Sequence, residues 1–279
     1  MLKKEESYNQ AAGPVQQPTV IATSAAGLTA SDVEIPTPDR AIPGYFAHPE
    51  GQPDSPLLLV MSEAFGLHEH IRDIVRRFAH EGYFAVAPDL MVRQGNPRSF
   101  SDVSTLVHKL LLKIPDEQVM EDLDSVLKWS KEQGADEERV SVTGFCWGGR
   151  WTWLYAARRK LDAAVAWYGI LDGRQSDVFR DVLSRYPNHP IDLVDRLQTP
   201  VLGLYGGQDD AIPLATIQHM QAALKEGSDE ARRSEIRIYS GAGHAFFADY
   251  RATYQETAAK DAWRRCVAWL RDHRSSDGR

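Results

Sequence analysis

The densest chemistry in the chain lies in Gly144-Phe-Cys146-Trp-Gly148-Gly149. It follows the apolar run Val140–Thr143 and opens an amphipathic stretch over Trp147–Arg158, so it reads strand, sharp turn, helix. Gly-x-Cys-x-Gly in that setting is a nucleophile elbow with cysteine in the place of serine. Glycines on either side permit the tight turn, because a Cβ there would collide with neighbouring backbone. The turn lifts the sulfur to a helix N-terminus. There the dipole favours a thiolate, and the backbone N–H of Trp147 can face a developing oxyanion. The plain alternative is a small core cysteine, the commonest state of the residue. Glycines at both offsets, between a strand and a helix, favour the reactive reading.

A nucleophile of this kind needs a base and a group that orients the base. His244 lies in Gly241-Ala-Gly243-His244-Ala-Phe-Phe, a glycine-rich loop directly after a late apolar run. His68, His70, His80, His108 and His219 fall in helical patterns and are expected on the surface. A carboxylate follows another strand pattern in Tyr205-Gly-Gly-Gln-Asp209-Asp210. Either Asp209 or Asp210 could orient an imidazole, and either could instead cap the helix that begins near Leu214. The chain order nucleophile, acid, histidine is that of the α/β-hydrolases. Two further charged groups follow strands. Glu63 could hold or accept a thiol proton, or merely cap the next helix. Arg93 could clamp a substrate carboxylate in bidentate fashion, or form an internal salt bridge. Trp147 and Trp151, four apart on one helix face, read as core packing more readily than as a stacking platform.

The elements that must position these groups alternate strand and helix. Asp32–Pro36 and Gly44–His48 read as an antiparallel pair, and Leu57–Met61 as a strand buried on both faces. A helix over His68–His80 precedes a strand at Tyr83–Ala87, and a helix over Val119–Gln133 precedes Val140–Thr143. Further strands are expected at Ala163–Tyr168, Val201–Tyr205 and Ile236–Tyr239, with helices over Leu214–Lys225 and Tyr254–His273. This is an α/β fold, with a mostly parallel central sheet and helices on both faces. Ligands in such folds bind beyond the carboxyl ends of the strands, where Cys146, Asp209 and His244 all fall. Residues 1–30 show neither period and are expected to be a flexible extension before a single domain over 31–279. Residues 171–199 read as an irregular lid or insertion with one short helix.

Composition narrows the function classes. The 279 residues are 43% hydrophobic and 25% charged, an ordinary globular balance. A net charge of −7 without a dense basic stripe makes a poor nucleic-acid binder. The longest apolar run is six residues, Ala163–Tyr168, against about 20 for a membrane span. With no signal-peptide pattern, a cytoplasmic location is expected. The two cysteines, Cys146 and Cys266, cannot form a disulfide framework or a thiolate zinc site, so neither metal nor organic cofactor is expected.

Taken together, Glu63-x-Phe65-Gly66, Pro88-Asp-Leu with Arg93-Gln94, Gly144-Phe-Cys146-Trp-Gly-Gly, Tyr-Gly-Gly-x-Asp209 and Gly243-His244-x-Phe246 resemble the dienelactone hydrolase (carboxymethylenebutenolidase) family. The resemblance covers roughly residues 30–275 and implies an α/β-hydrolase fold. It implies Cys146 as nucleophile, His244 as general base and acid, and Asp209, not Asp210, as its orienter. Glu63 would meet the thiol at rest and take part in its activation. The N–H groups of Trp147 and Ala64 would form the oxyanion hole, and Arg93 would bind a substrate carboxylate. The family's second carboxylate-binding arginine, four residues after the histidine, is replaced here by Ala248, and the serine after the histidine by Ala245. Arg251 is the nearest substitute.

The expected reaction is hydrolysis of a lactone or ester, a small molecule bearing a carboxylate, through a thioester on Cys146. A general carboxylesterase or thioesterase with the same three residues is the first alternative. A redox thiol protein is the second, against which counts the lack of a resolving partner for Cys146. A homo-oligomer is compatible with all of these readings.

Overall fold

The computed structural model describes residues 10–176, 180–184 and 186–275. They fold into two compact units. One comprises the chain up to Val140 together with Asp249–Ala252, and the other Ser141–Ala248 together with the chain from Thr253.

The N-terminal unit is built on strands β1 (Leu28–Pro36), β2 (Ala41–Pro49), β3 (Pro56–Met61) and β4 (Phe84–Pro88), in the order β1-β2-β4-β3. β1 and β2 form an antiparallel ladder from Leu28 opposite Pro49 to Pro36 opposite Ala41. β2 pairs antiparallel and β3 parallel with β4. Every residue of β3 and β4 is buried, as their continuous apolar sequences require. Helix α1 (Glu69–His80) packs on β2, β3 and β4. Its stripe Ile71, Ile74, Val75 and Phe78 is fully buried. Helix α2 (Val103–Lys109) is capped by Asp102, whose side chain accepts from the Thr105 N–H at 2.8 Å. Helix α3 (Asp116–Glu132) packs on β1 and β3.

Part of the expected extension lies on this unit. Gln10–Ala12 and Gln17–Thr19 form single 3-10 turns. The Gln16 N–H donates to the Tyr250 carbonyl at 2.8 Å, and the Thr23 N–H to Asp73 Oδ1 at 2.5 Å. Residues 1–9 of that expectation lie outside the described residues.

Strand β5 (Asp136–Phe145) carries the chain into the C-terminal unit. There follow α4 (Trp147–Arg158), β6 (Ala163–Trp167), α5 (Arg180–Leu183), β7 (Val201–Gly206), α6 (Leu214–Glu226), α7 (Asp229–Arg233), β8 (Glu235–Tyr239) and α8 (Glu256–Asp272). The order β5-β6-β7-β8 is parallel throughout. Helices α4 and α8 pack on β6. Trp151 and Trp153 are buried core residues, and the indole N–H groups of Trp153 and Trp167 donate at 3.0 Å to Tyr205 Oη and Thr143 Oγ1. A buried indole needs such an acceptor, because an unmet donor costs about 1–3 kcal/mol.

Residues 171–199 hold more than the single short helix expected. Gly173–Gln175 and Pro190–Arg196 form 3-10 turns on either side of α5, and residues 177–179 and 185 lie outside the described residues. Helices α2 and α7 also escape a periodicity reading, because one or two turns are too short to repeat an apolar stripe. Among the described residues no helix is long and apolar enough to cross a membrane.

Candidate active site

Cys146 stands between β5 and α4 with φ 52° and ψ −108°, a conformation that L side chains rarely adopt. Neighbours hold it there: its N–H donates to the Trp167 carbonyl at 2.9 Å. The turn admits no side chain on its flanks. A Cβ on Gly144 would stand 2.3 Å from the Gly148 carbonyl oxygen, and one on Gly149 2.5 Å from that of Trp167. The sulfur-bearing residue remains half-buried, in contrast to Cys266, which is fully buried on α8. The Trp147 N–H is the first of α4, among those a helix leaves without an internal acceptor.

Two loops of the same unit bring a base and an acid to this sulfur. His244 lies in the turn after β8, with Nε2 3.2 Å from Cys146 Sγ and Nδ1 2.8 Å from Asp209 Oδ2. Asp209 also uses its other oxygen. Oδ1 accepts from the N–H groups of Ala211 and Ile212 at 2.8 and 3.1 Å, so the same carboxylate shapes its own turn and meets the imidazole. The two readings of an aspartate here were not exclusive. Asp210 is exposed and makes neither contact. Burial pushes the His244 pKa down, but the charges of Cys146 and Asp209 outweigh it and raise the group to about 10. Tyr168, at φ 37°, sets its ring edge-on to the imidazole at 5.3 Å between centroids. Nothing in the sequence pattern pointed to it.

Glu63 lies in the N-terminal unit, at the head of a turn closed by the Gly66 N–H to its carbonyl at 3.1 Å. Its side chain is buried, and one oxygen takes two donors. His68 Nε2 is 3.0 Å from Oε1, and the Tyr250 hydroxyl donates to the same atom. Burial pushes this carboxyl up, but the His68 hydrogen bond and the nearby charges, Arg251 among them, hold it down at about 2. His68 and His70 correct the surface expectation. They are 0% and 2% exposed, because the start of α1 is covered by Tyr250, whose ring stands 5.3 and 5.0 Å from theirs. His70 Nδ1 lies 3.4 Å from Asp249 Oδ1.

Arg93 departs most from expectation. Its Nε and Nη2 donate to the two Asp39 oxygens at 2.8 and 2.5 Å, and its Nη1 and Nη2 to those of Asp122 at 2.6 and 2.9 Å. Nη2 also meets Thr37 Oγ1 at 2.8 Å. A guanidinium shared between two carboxylates has no fork left for a third, so the geometry selects the salt-bridge alternative over substrate binding. Arg251 lies over the Phe65 ring at 5.3 Å and is close enough to act on Glu63. Among the described residues no group of three or more His, Cys, Asp or Glu side chains could hold a metal ion.

The profile of the dienelactone hydrolase family matches residues 42–274. A Salmonella typhimurium protein that bears the name carboxymethylenebutenolidase is 46% identical over 273 residues, 97% of each chain. An Escherichia coli K12 protein under the same name is 44% identical over 273 residues, covering 97% of this chain and 96% of its own. The crystal structure of a Klebsiella pneumoniae protein named as a dienelactone hydrolase superposes with a TM-score of 0.81 at 46% identity, covering 88% of this chain and 98% of that one.

Proposed function

The chain belongs to the dienelactone hydrolase family and is a hydrolase of lactone or ester bonds, and we propose that it works through Cys146, His244 and Asp209 by way of a thioester. The observation that carries this reading is the unbroken chain of contacts from Sγ through the imidazole to the carboxylate, 3.2 and 2.8 Å long. The thiolate adds to the carbonyl carbon, and the oxyanion is met by the N–H groups of Trp147 and Ala64. The C–O bond breaks, and the departing enolate or alkoxide takes the His244 proton. Water then attacks the thioester with His244 as base, and the acid is released as Cys146 is restored.

The raised His244 pKa gives this sequence a direction. Once Cys146 has given up its proton, the imidazole is held charged by the sulfur beside it and by Asp209. Acylation removes the charge on sulfur, and with it the first of the two raising causes. His244, having given up its proton to the leaving group, then has less reason to take it back and is free to accept one from water. Asp209 keeps the ring oriented through both steps. Glu63 and the Ala64 N–H keep the roles the family resemblance gives them, as proton acceptor for the thiol and second oxyanion donor. Amides are poor substrates in this scheme, since a thiolate leaves the tetrahedral adduct more readily than an amine does.

The test is hydrolysis of a dienelactone beside p-nitrophenyl acetate, before and after thiol alkylation. Alkylation-sensitive opening of the dienelactone supports nucleophile and substrate class together. Turnover of the neutral ester alone keeps the nucleophile and points to a general esterase. Full activity after complete alkylation of Cys146 sinks the thioester route.

A further inference from the structure

The chain from Gln10 to Gly27 lies on the N-terminal unit as a strap. From Gly13 to Gly27 none of its side chains is buried, and Ile21, its one large aliphatic group besides two valines, stays 43% exposed. What ties this stretch down is polar. Thr23 meets α1 three times. Its N–H donates to Asp73 Oδ1 at 2.5 Å, its hydroxyl to Asp73 Oδ2 at 3.3 Å, and its carbonyl accepts from Arg76 Nε at 3.0 Å. His80 Nε2 donates to the Ser24 carbonyl at 2.8 Å.

Further up, the strap grips the turn that reaches Glu63. The Gln16 N–H donates to the Tyr250 carbonyl at 2.8 Å, and the Thr19 hydroxyl to that of Asp249 at 2.5 Å. Residues 249–252 lie in no helix or strand, yet Asp249 and Tyr250 are each only 1% exposed. Helices and strands place their side chains through their own hydrogen-bond ladders, whereas a side chain on irregular backbone is placed only as well as that backbone is tied. Tyr250 is tied at both ends: the strap holds its carbonyl, and its hydroxyl donates to Glu63 Oε1. Arg77 links the same parts from α1, bonded both to Asp73 and to Asp249. His68, the other donor on Glu63 Oε1, stands at the start of that helix.

We infer that residues 16–24 are a positioning strap for the hydrolase, in which Gln16 and Thr19 hold the Asp249–Tyr250 turn so that the Tyr250 hydroxyl stays on Glu63. The two are positioning residues and act through Tyr250. Held in this way, Glu63 keeps one orientation and stays charged, the form in which it can accept a proton. That this serves turnover rests on the thiol-activating role of Glu63 proposed above; that the strap sets the Glu63 hydrogen bond does not. A segment that buries so little opens at a lower cost than the whole fold, so its release can be read in an enzyme that is still folded.

The Glu63 carboxyl is therefore titrated by carbon NMR in the full-length wild type, Thr19→Val, Thr19→Ser, Tyr250→Phe, Gln16→Pro with Thr19→Val, and Thr19→Val with Tyr250→Phe. Gln16 stands at φ −85°, where a proline removes the N–H at little cost to the backbone. The other groups that face Glu63, namely His68, His70 and Arg251, are unaltered in every variant. In Tyr250→Phe, Glu63 is expected to bind its proton about tenfold more tightly, the loss of one hydrogen bond to a charge. The strap variants move it the same way by less, the Gln16→Pro with Thr19→Val pair the most, and Thr19→Ser returns it to the wild-type value. Thr19→Val adds nothing on top of Tyr250→Phe, because the strap acts through that hydroxyl. The kcat/KM for an ester falls in the same order. An unmoved Glu63 in the Gln16→Pro with Thr19→Val pair, or a full Thr19→Val effect added to that of Tyr250→Phe, overturns the strap, whatever happens to the urea midpoint. A moved Glu63 with unchanged kcat/KM keeps the strap and overturns its link to the reaction.

Discussion

Asp209–His244 and Glu63–His68 are the same chemical pair at similar distances, 2.8 and 3.0 Å, yet they hold their protons differently. His244 is raised to about 10, while His68 is pushed below its ordinary value. The carboxylates do not account for the difference, since each attracts a proton to its imidazole. The further partners do. His244 keeps 24% of its side chain exposed and faces Cys146 Sγ on its other nitrogen, which raises it. His68 is wholly buried, and the groups beyond Glu63 that reach it, His70 and Arg98, push it further down. A carboxylate–imidazole pair is thus a proton store where a second negative group outweighs burial; otherwise it is a neutral N–H donor fixing a carboxylate.

The largest test of this contrast is Cys146→Ser. Hydrolysis is expected to fall by about 10³-fold or more, as for loss of a nucleophile acting as a unit with its base. Removing the sulfur also removes the first raising cause at His244. Its imidazole titration, followed by NMR, is therefore expected to move down from about 10. An unmoved His244 would mean that Asp209 alone sets it, and the comparison fails.

The pH dependence of stability separates the two pairs. His244 is raised in the folded state, so its contribution is fully present below about 6.5 and is lost as pH rises through about 10. Glu63 is lowered, so its contribution is present above about 4.5 and is lost as pH falls through about 2. Urea midpoints from pH 2 to 11 are expected to drop at both ends. The alkaline drop should shrink in His244→Gln and the acid drop in Glu63→Gln. Loss of the wrong limb in either variant would reverse the assignment.

Arg93→Ala extends the comparison to a pair that is wholly structural. It leaves the Asp122 carboxyl buried without its partner and is expected to cost about 3 kcal/mol in chemical denaturation. Burial already pushes the Asp122 pKa up against Arg93, so part of the loss is relieved by protonation at low pH. A stable variant with a selective rise in KM for anionic esters would return Arg93 to the substrate role.

How much could be read beforehand depended on whether the partners were local. Cys146, Asp209 and His244 each follow their own strand, so apolar runs ending in glycine-rich turns were enough to pick them out and bring them to one place. The strands themselves were legible because β3 and β4 are buried at every position and show as unbroken apolar runs. Arg93 was misplaced because its partners lie 54 and 29 residues away in the chain, and no local pattern distinguishes a paired arginine from one with donors to spare. His68 and His70 were misplaced for the same reason. Polar residues at a helix start read as surface, and the ring that buries them comes from Tyr250, whose bond to Glu63 spans 187 residues.

Tyr250→Phe probes that long-range bond with the smallest change, one hydroxyl. Among the described residues His68 then remains the one donor on Glu63 Oε1, and the buried carboxylate is less well satisfied. Removing a hydrogen bond to a buried charge is expected to cost about 1.5–3 kcal/mol, read from the denaturation midpoint. The chain of contacts behind Tyr250 should survive, because Asp249 is held independently by Arg77 and by the Thr19 hydroxyl on its carbonyl at 2.5 Å. Loss of the donor also raises the Glu63 pKa, so the acid drop in stability should begin at higher pH than in the wild type. If Glu63 takes the thiol proton, the acid limb of kcat/KM moves upward with it. A stability limb that moves while the kinetic limb stays would leave Glu63 a buried anchor of its turn and nothing more.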